Sequence, residues 1–412
     1  MFNIAIMGHG TVGSGVVEVL TKNHAGIAAK AANEINIKYI LDIRDFPDLP
    51  YSDKFIKDFD IILNDPDVQV VVEVMGGLNP AYDFVKKCLL AGKSVVTSNK
   101  ELVAAKGGEL LEIAKENNLN FLFEASVGGG IPIIRPMSQC LAANEIIEIL
   151  GILNGTTNFI LTKMIDEGMS FDDALVLAKQ LGYAEADPSA DVEGKDACRK
   201  ICILASLAFG RHVYPSQVAT EGITKITSVD VAYAAAWGGV IKLIGKAVKL
   251  EDGKLDCCVA PMLVKNDNQL SSVTDVFNAI VVRGDATGDV MFYGKGAGKL
   301  PTASAVVADV IDCVKHVSAR KYLFWDEGYT DYVIDSDQGE AAMYVRCKTA
   351  DSAEAATVIR DTFGNVEFLF CKEAPAHEIT FITPKGKISE INKKLKSLGA
   401  LLEVIKTMRI CE

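Results

Sequence analysis

The chain has 412 residues, 49% of them hydrophobic and 23% charged, and carries a formal net charge of −12. That length and apolar content suffice for a sizeable core divided among two or three domains. The acidic balance argues against nucleic acid or an anionic membrane surface as a partner, because no basic stripe offsets it.

The opening M-F-N-I-A-I-M-G-H-G has no basic stretch leading into an apolar run and a cleavage site. No later run reaches membrane-spanning length, so a cytoplasmic location is expected. The ten cysteines form no C-x-x-C pair and meet no histidine at metal-ligand spacing, which reads as reduced thiols and not as ligands or disulfides.

The first 130 residues alternate strand and helix patterns as a parallel sheet requires. Phe2 to Met7 is an apolar run that leads into Gly8-His9-Gly10-Thr11-Val12-Gly13, and Ser14 to Lys22 then reads as a helix. This is G-x-G-x-x-G between strand and helix, where glycines permit a tight turn and close backbone approach to a pyrophosphate at the helix start. A dinucleotide site is expected there, with His9 a loop residue whose backbone matters more than its ring. The second strand, Ile35 to Leu41, ends in Asp42-Ile43-Arg44-Asp45. An acid at that point favours a free ribose hydroxyl and an arginine favours a 2′-phosphate, so the sequence leaves NAD and NADP both open.

Val70 to Val74 and Ser94 to Thr97 are further buried strands, the second followed by Ser98-Asn99-Lys100-Glu101. Loops at the carboxyl ends of such strands face the cofactor, which makes Lys100 a candidate. A fifth strand, Asn120 to Glu124, runs into Ala125-Ser126-Val127-Gly128-Gly129-Gly130-Ile131-Pro132. Three glycines before a proline fit either a domain hinge or a carbonyl-lined cation site.

From Ile146 the pattern changes to an α+β domain on an open sheet. Its first strand leads into Gly151-Ile152-Leu153-Asn154-Gly155-Thr156-Thr157-Asn158, a polar turn opening a helix that Asn158 or a threonine would cap. Later strands are expected at Ala219 to Gly222, Val240 to Leu250, Asp256 to Val264 and Asn278 to Arg283. Between Ala178 and Lys200 the charges crowd: Glu185, Asp187, Asp191, Glu193 and Asp196 stand near Lys195, Arg199 and Lys200. Asp196 and Lys200 are four apart on the helix that D-A-C-R-K-I-C-I-L-A predicts, so they share one face. A solvated ion pair and a buried proton-transfer pair both fit that spacing. Gly294 to Ala305 then opens a long apolar helix that could return to the nucleotide domain.

Taken together, the Gly8 to Gly13 turn, Ser98 to Glu101, Glu124 to Pro132, Gly151 to Asn158, the Ala178 to Lys200 segment and Gly294 to Ala305 resemble homoserine dehydrogenase, in the same order, over roughly the first 320 residues. The Ala178 to Lys200 segment matches without a gap: Ala178, Gly182, Asp187-Pro188, Asp191, Gly194, Asp196 and Lys200 all fall in register. The resemblance implies reversible interconversion of L-homoserine and L-aspartate 4-semialdehyde with NAD or NADP, in threonine, methionine and isoleucine biosynthesis. It also implies roles. Lys200 would move the proton at the substrate oxygen, Asp196 would orient it, and Lys100 would lie between cofactor and substrate. Glu185 and Asp191 would hold the substrate ammonium, and Lys200 would bind the substrate as well. Gly8, Gly10, Thr11, Val12, Gly13, Arg44, Lys100 and Gly296 would contact the nucleotide. Glu124, Val127, Gly129 and Ile131 would hold a monovalent cation, sodium, largely through carbonyls.

The tail after Glu340 predicts β-α-β-β-α-β over Ala341–Cys347, Ala353–Phe363, Val366–Lys372, His377–Thr383, Ile388–Leu398 and Leu401–Met408. It resembles an ACT module, which implies L-threonine as a feedback ligand; a ferredoxin-like packing or dimerisation appendage fits the same pattern. The expected division is therefore three contiguous parts. Residues 1–130 form a Rossmann domain joined by a helix at about 302–320, residues 131–320 a catalytic and dimerisation domain, and residues 338–412 an ACT-like domain. A homodimer or homotetramer is expected. No aspartate kinase pattern precedes the dehydrogenase motifs, so a fused bifunctional form is not. A different NAD(P)-linked dehydrogenase would keep the nucleotide turn but leave the acidic segment unexplained, and a silent amino-acid sensor would lack Lys200 or Asp196.

Overall fold

The computed structural model describes residues 1–317, Ala319 and 323–412. The chain divides into two compact units, each assembled from separated stretches. The first comprises Met1–Ile146, Cys202–Pro215 and Val282–Tyr329, and the second Ile147–Ile201, Ser216–Val281 and Thr330–Glu412. This differs from the three contiguous parts expected, and the residues 318 and 320 to which one boundary ran lie outside those described.

In the first unit six strands, β1 (Phe2–Met7), β2 (Ile35–Leu41), β3 (Phe55–Ile56), β4 (Val68–Glu73), β5 (Ser94–Thr97) and β6 (Phe121–Leu122), pair in the order β3-β2-β1-β4-β5-β6. All five pairings are parallel. Ile4 to Met7 and Val70 to Val72 are almost wholly buried, as strands covered on both faces must be. The order reverses beside β1, so the switch point and its crevice lie at the carboxyl ends of β1 and β4. The helix Lys299–Lys315 packs beside the first helix, Thr11–Lys22, with Lys299 bonded to Glu18 at 2.7 Å.

The second unit is built on a mixed sheet. β7 (Ile146–Ile152), β9 (Gly239–Lys249), β10 (Leu255–Lys265) and β11 (Phe277–Gly284) follow the order β11-β7-β9-β10, and the short β8 (Ala219–Thr220) pairs with β10. The C-terminal module has its own core, including Val345, Ile359, Phe381 and Leu395. Apart from the two-residue strand Gly386–Lys387, its strands and helices run β-α-β-β-α-β from Met343 to Cys411. Yet it is not a separate body, because its last strand, Glu403–Cys411, pairs in parallel with β10 through Met262–Arg409, Leu263–Ile410 and Val264–Cys411. Buried Arg346 ties the two further: it chelates Glu378 at 2.7 and 2.9 Å and reaches Asp230 of the helix Ser228–Ala236 at 3.2 Å. Strand pairing and ion pairing thus explain why the module clusters with the second unit. No helix among the described residues is long and apolar enough to cross a membrane.

Candidate active site

In the first unit the nucleotide candidates collect at the carboxyl ends of the parallel strands. Gly8 has φ +100, and a Cβ on Gly13 would overlap the Gly8 carbonyl, so the turn after β1 admits little but glycine at either place. The helix begins at Thr11 with no side-chain cap, leaving its first amides available to an anion. Gly10 precedes this helix, and Thr11 and Val12 open it. At the end of β2, Asp42 accepts from the His9 amide at 2.7 Å and from the Arg44 amide, Nε and Nη2 at 2.9–3.0 Å. Those bonds, the Arg44 guanidinium foremost, hold the Asp42 carboxyl well below the usual carboxylate range. Acid and arginine, read as alternatives from the sequence, are a single chelate. The His9 ring is not idle filler: it packs edge-on against Phe46 and Phe55, and burial lowers its pKa.

Lys100 opens the helix Lys100–Glu116 behind β5, and Asn99 caps it by accepting from the Leu102 amide at 3.1 Å. The Asn99 amide also donates to the Gly77 carbonyl at 2.6 Å, joining the loops after β4 and β5. Sequence reading missed Glu73, fully buried at the end of β4, whose carboxylate accepts from the Met75 amide and the Thr97 hydroxyl at 2.8 and 2.6 Å. Burial pushes its carboxyl up.

The glycine loop Val127–Ile131 lies against the loop of Gly296. Gly129 has φ +56, and a Cβ there would overlap the Gly296 carbonyl; the Gly130 amide donates to the Lys295 carbonyl at 3.1 Å. Two sets of candidates, for nucleotide and for cation, are thus brought side by side within the unit. The Glu124 carboxylate is already committed, accepting from the Ile133, Ile134 and Arg135 amides at 2.6–2.9 Å. Its own amide donates to buried Asp309, which burial pushes up to about 7. Among the described residues no group of three or more His, Cys, Asp or Glu side chains could hold a metal ion.

In the second unit the acidic segment closes on a lysine. Asp196 and Lys200 lie in the first turns of the helix Lys195–Phe209 and are 3% and 7% exposed. The Lys200 ammonium is 2.9 Å from Asp196 Oδ2 and donates to the Leu153 carbonyl at 2.8 Å. Burial on this scale excludes the solvated surface pair. Asn154, which the sequence did not single out, organises the group: its amide donates to Asp191 at 2.7 Å and to Asp196 at 2.9 Å. Its oxygen accepts from the Thr157 amide at 2.8 Å, so Asn154 caps the helix Gly155–Asp166. The cap is thus neither Asn158 nor a threonine. Asn158 instead lies buried inside the helix and donates to the carbonyls of Val273, Asp275 and Phe277. Glu185 is exposed, on a turn tied to the same helix start by the Thr156 hydroxyl on the Tyr183 carbonyl at 2.8 Å.

A parallel sheet of this order with its glycine turn, in one chain with a buried lysine and carboxylate, defines an NAD(P)-dependent oxidoreductase. Residues 132–311 match the family model described as homoserine dehydrogenase, and residues 8–124 the homoserine dehydrogenase NAD binding domain. The homoserine dehydrogenase of Pseudomonas aeruginosa is 39% identical over 97% of this chain and 95% of its own. A crystal structure of the Thiobacillus denitrificans enzyme superposes with a TM-score of 0.88 at 34% identity, covering 99% of this chain and 97% of that one. A hyperthermophilic archaeal homoserine dehydrogenase mutant in complex with NADPH gives a TM-score of 0.63 at 31% identity, over 76% of this chain and 97% of its own. The chain belongs to the homoserine dehydrogenase family.

Proposed function

We propose that Lys200 moves the proton in the reversible conversion of L-homoserine to L-aspartate 4-semialdehyde. The observation that carries this reading is the buried Lys200–Asp196–Asn154 cluster. The Gly8–Gly13 turn with Arg44, Lys100 and Gly296 would hold the dinucleotide, which when bound would supply or accept the hydride. In the reducing direction the Lys200 ammonium gives its proton to the oxygen as negative charge develops there; in the oxidising direction the neutral amine removes the hydroxyl proton. Asp196, fixed by Asn154, positions the ammonium and stabilises its charged form. Asp191 and Glu185 receive the substrate ammonium, which accounts for an excess of acid around so small a molecule. The carbonyls of Glu124, Val127, Gly129 and Ile131 would hold a monovalent cation beside the loop of Gly296. Operating in the semialdehyde-reducing direction, the enzyme supplies threonine, methionine and isoleucine synthesis. The C-terminal module serves as an ACT-like sensor through which L-threonine restrains it.

Absorbance at 340 nm with homoserine and NAD or NADP, for wild type, Lys200→Ala and Lys200→Arg, tests the assignment. The alanine variant is expected to lose about 10²-fold or more in kcat while binding the nucleotide nearly as before. Turnover close to wild type in a folded Lys200→Ala protein would move the proton role elsewhere.

A further inference from the structure

Glu73 is a fully buried acid at the carboxyl end of β4, and the proton transfer proposed above makes no use of it. In the parallel sheet it lies in register between Met7, the residue before Gly8, and Thr97, three residues before Lys100. Both neighbouring segments carry nucleotide candidates. Its carboxylate accepts from the Met75 amide at 2.8 Å and the Thr97 hydroxyl at 2.6 Å, and the Gly76 amide and the Asn99 side chain also donate to it. The Thr97 oxygen accepts from the Asn99 amide at 2.9 Å, which leaves its own hydrogen for Glu73. Four donors suit an ionised carboxylate. Among the described residues no lysine, arginine or histidine forms an ion pair with it.

A buried carboxylate without a cation is costly, which is why burial pushes this carboxyl up. Tying the loops after β4 and β5 together does not require the charge. A neutral amide of the same shape could accept from the Met75 amide and donate to the Thr97 hydroxyl, whose oxygen has a second lone pair. An acid at this position is therefore matched to a positive charge that comes from outside the chain.

The strand order says which charge that is. A dinucleotide lies across the switch point, one nucleotide over each half of the sheet. The Asp42–Arg44 chelate at the end of β2 marks the adenosine half, so the nicotinamide half belongs over β4 and β5. Glu73 closes β4, and the loop it holds meets the glycine turn: a Cβ on Gly8 would lie 3.1 Å from the Met75 Cα. The nicotinamide ring is positive when oxidised and neutral when reduced. A fixed negative charge in a desolvated site therefore acts on one redox form and not on the other, and it does so over several ångströms because little water screens it.

We propose that the Glu73 carboxylate is the counter-charge of the oxidised nicotinamide ring, so that the protein holds NAD(P)+ more tightly, relative to NAD(P)H, than an uncharged site would. Because the oxidised dinucleotide is a product of semialdehyde reduction, the same charge draws that direction forward on the enzyme. The inference rests on the dinucleotide reading above. Calorimetric titration of the full-length protein with NADP+ and NADPH, and with NAD+ and NADH in parallel, yields the oxidised-to-reduced ratio of Kd values without any turnover. Glu73→Gln keeps the shape and removes the charge, and should raise that ratio by about tenfold or more. Glu73→Asp keeps the charge but reaches the loops less well; both forms should bind more weakly, with the ratio within about twofold of wild type. Thr97→Val takes one donor from the carboxylate and should raise the ratio by about threefold. Should Glu73→Gln fail to fold, Thr97→Val decides, and an unmoved ratio there overturns the inference. Equal weakening of both redox forms in Glu73→Gln, or a ratio that Glu73→Asp shifts as far, also overturns it and leaves Glu73 as a tie between loops. A folded wild type that binds neither form would overturn the dinucleotide reading and this inference together. Binding of both forms with a ratio indifferent to the charge overturns this inference alone.

Discussion

Lys200 and Lys242 are both buried lysines of the second unit, and their surroundings differ in kind. Lys200 faces the Asp196 carboxylate at 2.9 Å at the start of a helix. Lys242, 1% exposed on β9, donates to the Val273 carbonyl at 2.6 Å and to Asn158 Oδ1 at 3.1 Å. Burial pushes the Lys242 ammonium down to about 8. Through Asn158 it fastens the helix Gly155–Asp166 to the loop at Val273–Phe277. Burial alone makes a proton labile; the proposed transfer at Lys200 uses a carboxylate beside it as well.

The widest separation between the two should appear in parallel Lys200→Met and Lys242→Met proteins. Steady-state assays of the first are expected to lose about 10²-fold or more in kcat, those of the second to stay within about threefold. Equal loss in both, with both folded, would end the distinction. The next effect is on stability. Lys242 binds its proton less tightly in the fold than in the unfolded chain. Between pH 8 and 10.5 the unfolded state therefore carries the extra proton, and the fold gains stability as pH rises; below 8 both states are protonated and the full cost of burying the charge remains. Denaturant titrations should show the wild type gaining on Lys242→Met across that window, by at most about 3 kcal/mol. A difference that stays flat with pH would mean the ammonium is solvated in the native state.

What the sequence disclosed follows the distance over which each feature is encoded. Asp196 and Lys200 are four residues apart, and Gly8 to Gly13 lie between a strand and a helix contiguous with them, so local spacing carried both. Asn154 escaped because its partners are 37 and 42 residues away. Its only local trace was an Asn-Gly-Thr-Thr turn after a buried strand, where an asparagine three residues before an open amide is a helix cap. The Glu124 carboxylate was legible as an acid before a glycine loop, but not as the acceptor for three amides beyond it. The C-terminal pattern could be read strand by strand, whereas its fusion to β10 depends on edge pairing, which leaves no periodicity of its own.

Asn154 is the next point at which the Lys200 region can be tested against the Lys242 region. Asn154→Ala removes a cap and the donor that holds Asp191 and Asp196 in place. A drop of roughly tenfold in kcat/KM is expected, together with about 1 kcal/mol of stability. Asn154→Ser, which can still cap, should recover most of the stability and little of the rate. If serine restores both, Asn154 acts on the helix alone and Asp196 keeps its position by other means.

The smallest effect belongs to the first unit and asks whether a buried base without a carboxylate behaves there as Lys242 does. His212 is 1% exposed; its Nδ1 lies 2.9 Å from the Trp325 indole N–H and 3.3 Å from the Gly108 amide, and its Nε2 lies 2.8 Å from the Ala104 carbonyl. Two N–H donors directed at Nδ1 require an unprotonated nitrogen there, so the ring is neutral with its proton on Nε2. Burial lowers its pKa from 6.5, and the unfolded chain therefore takes up a proton that the fold refuses. Stability from this group is present above pH 6.5 and is lost as pH falls below it. Paired unfolding curves of wild type and His212→Gln should diverge at neutral pH by on the order of 1 kcal/mol and converge on acidification. Curves that stay parallel down to pH 5 would mean that water reaches the ring, and that the clasp over the helix carrying Lys100 opens on its own.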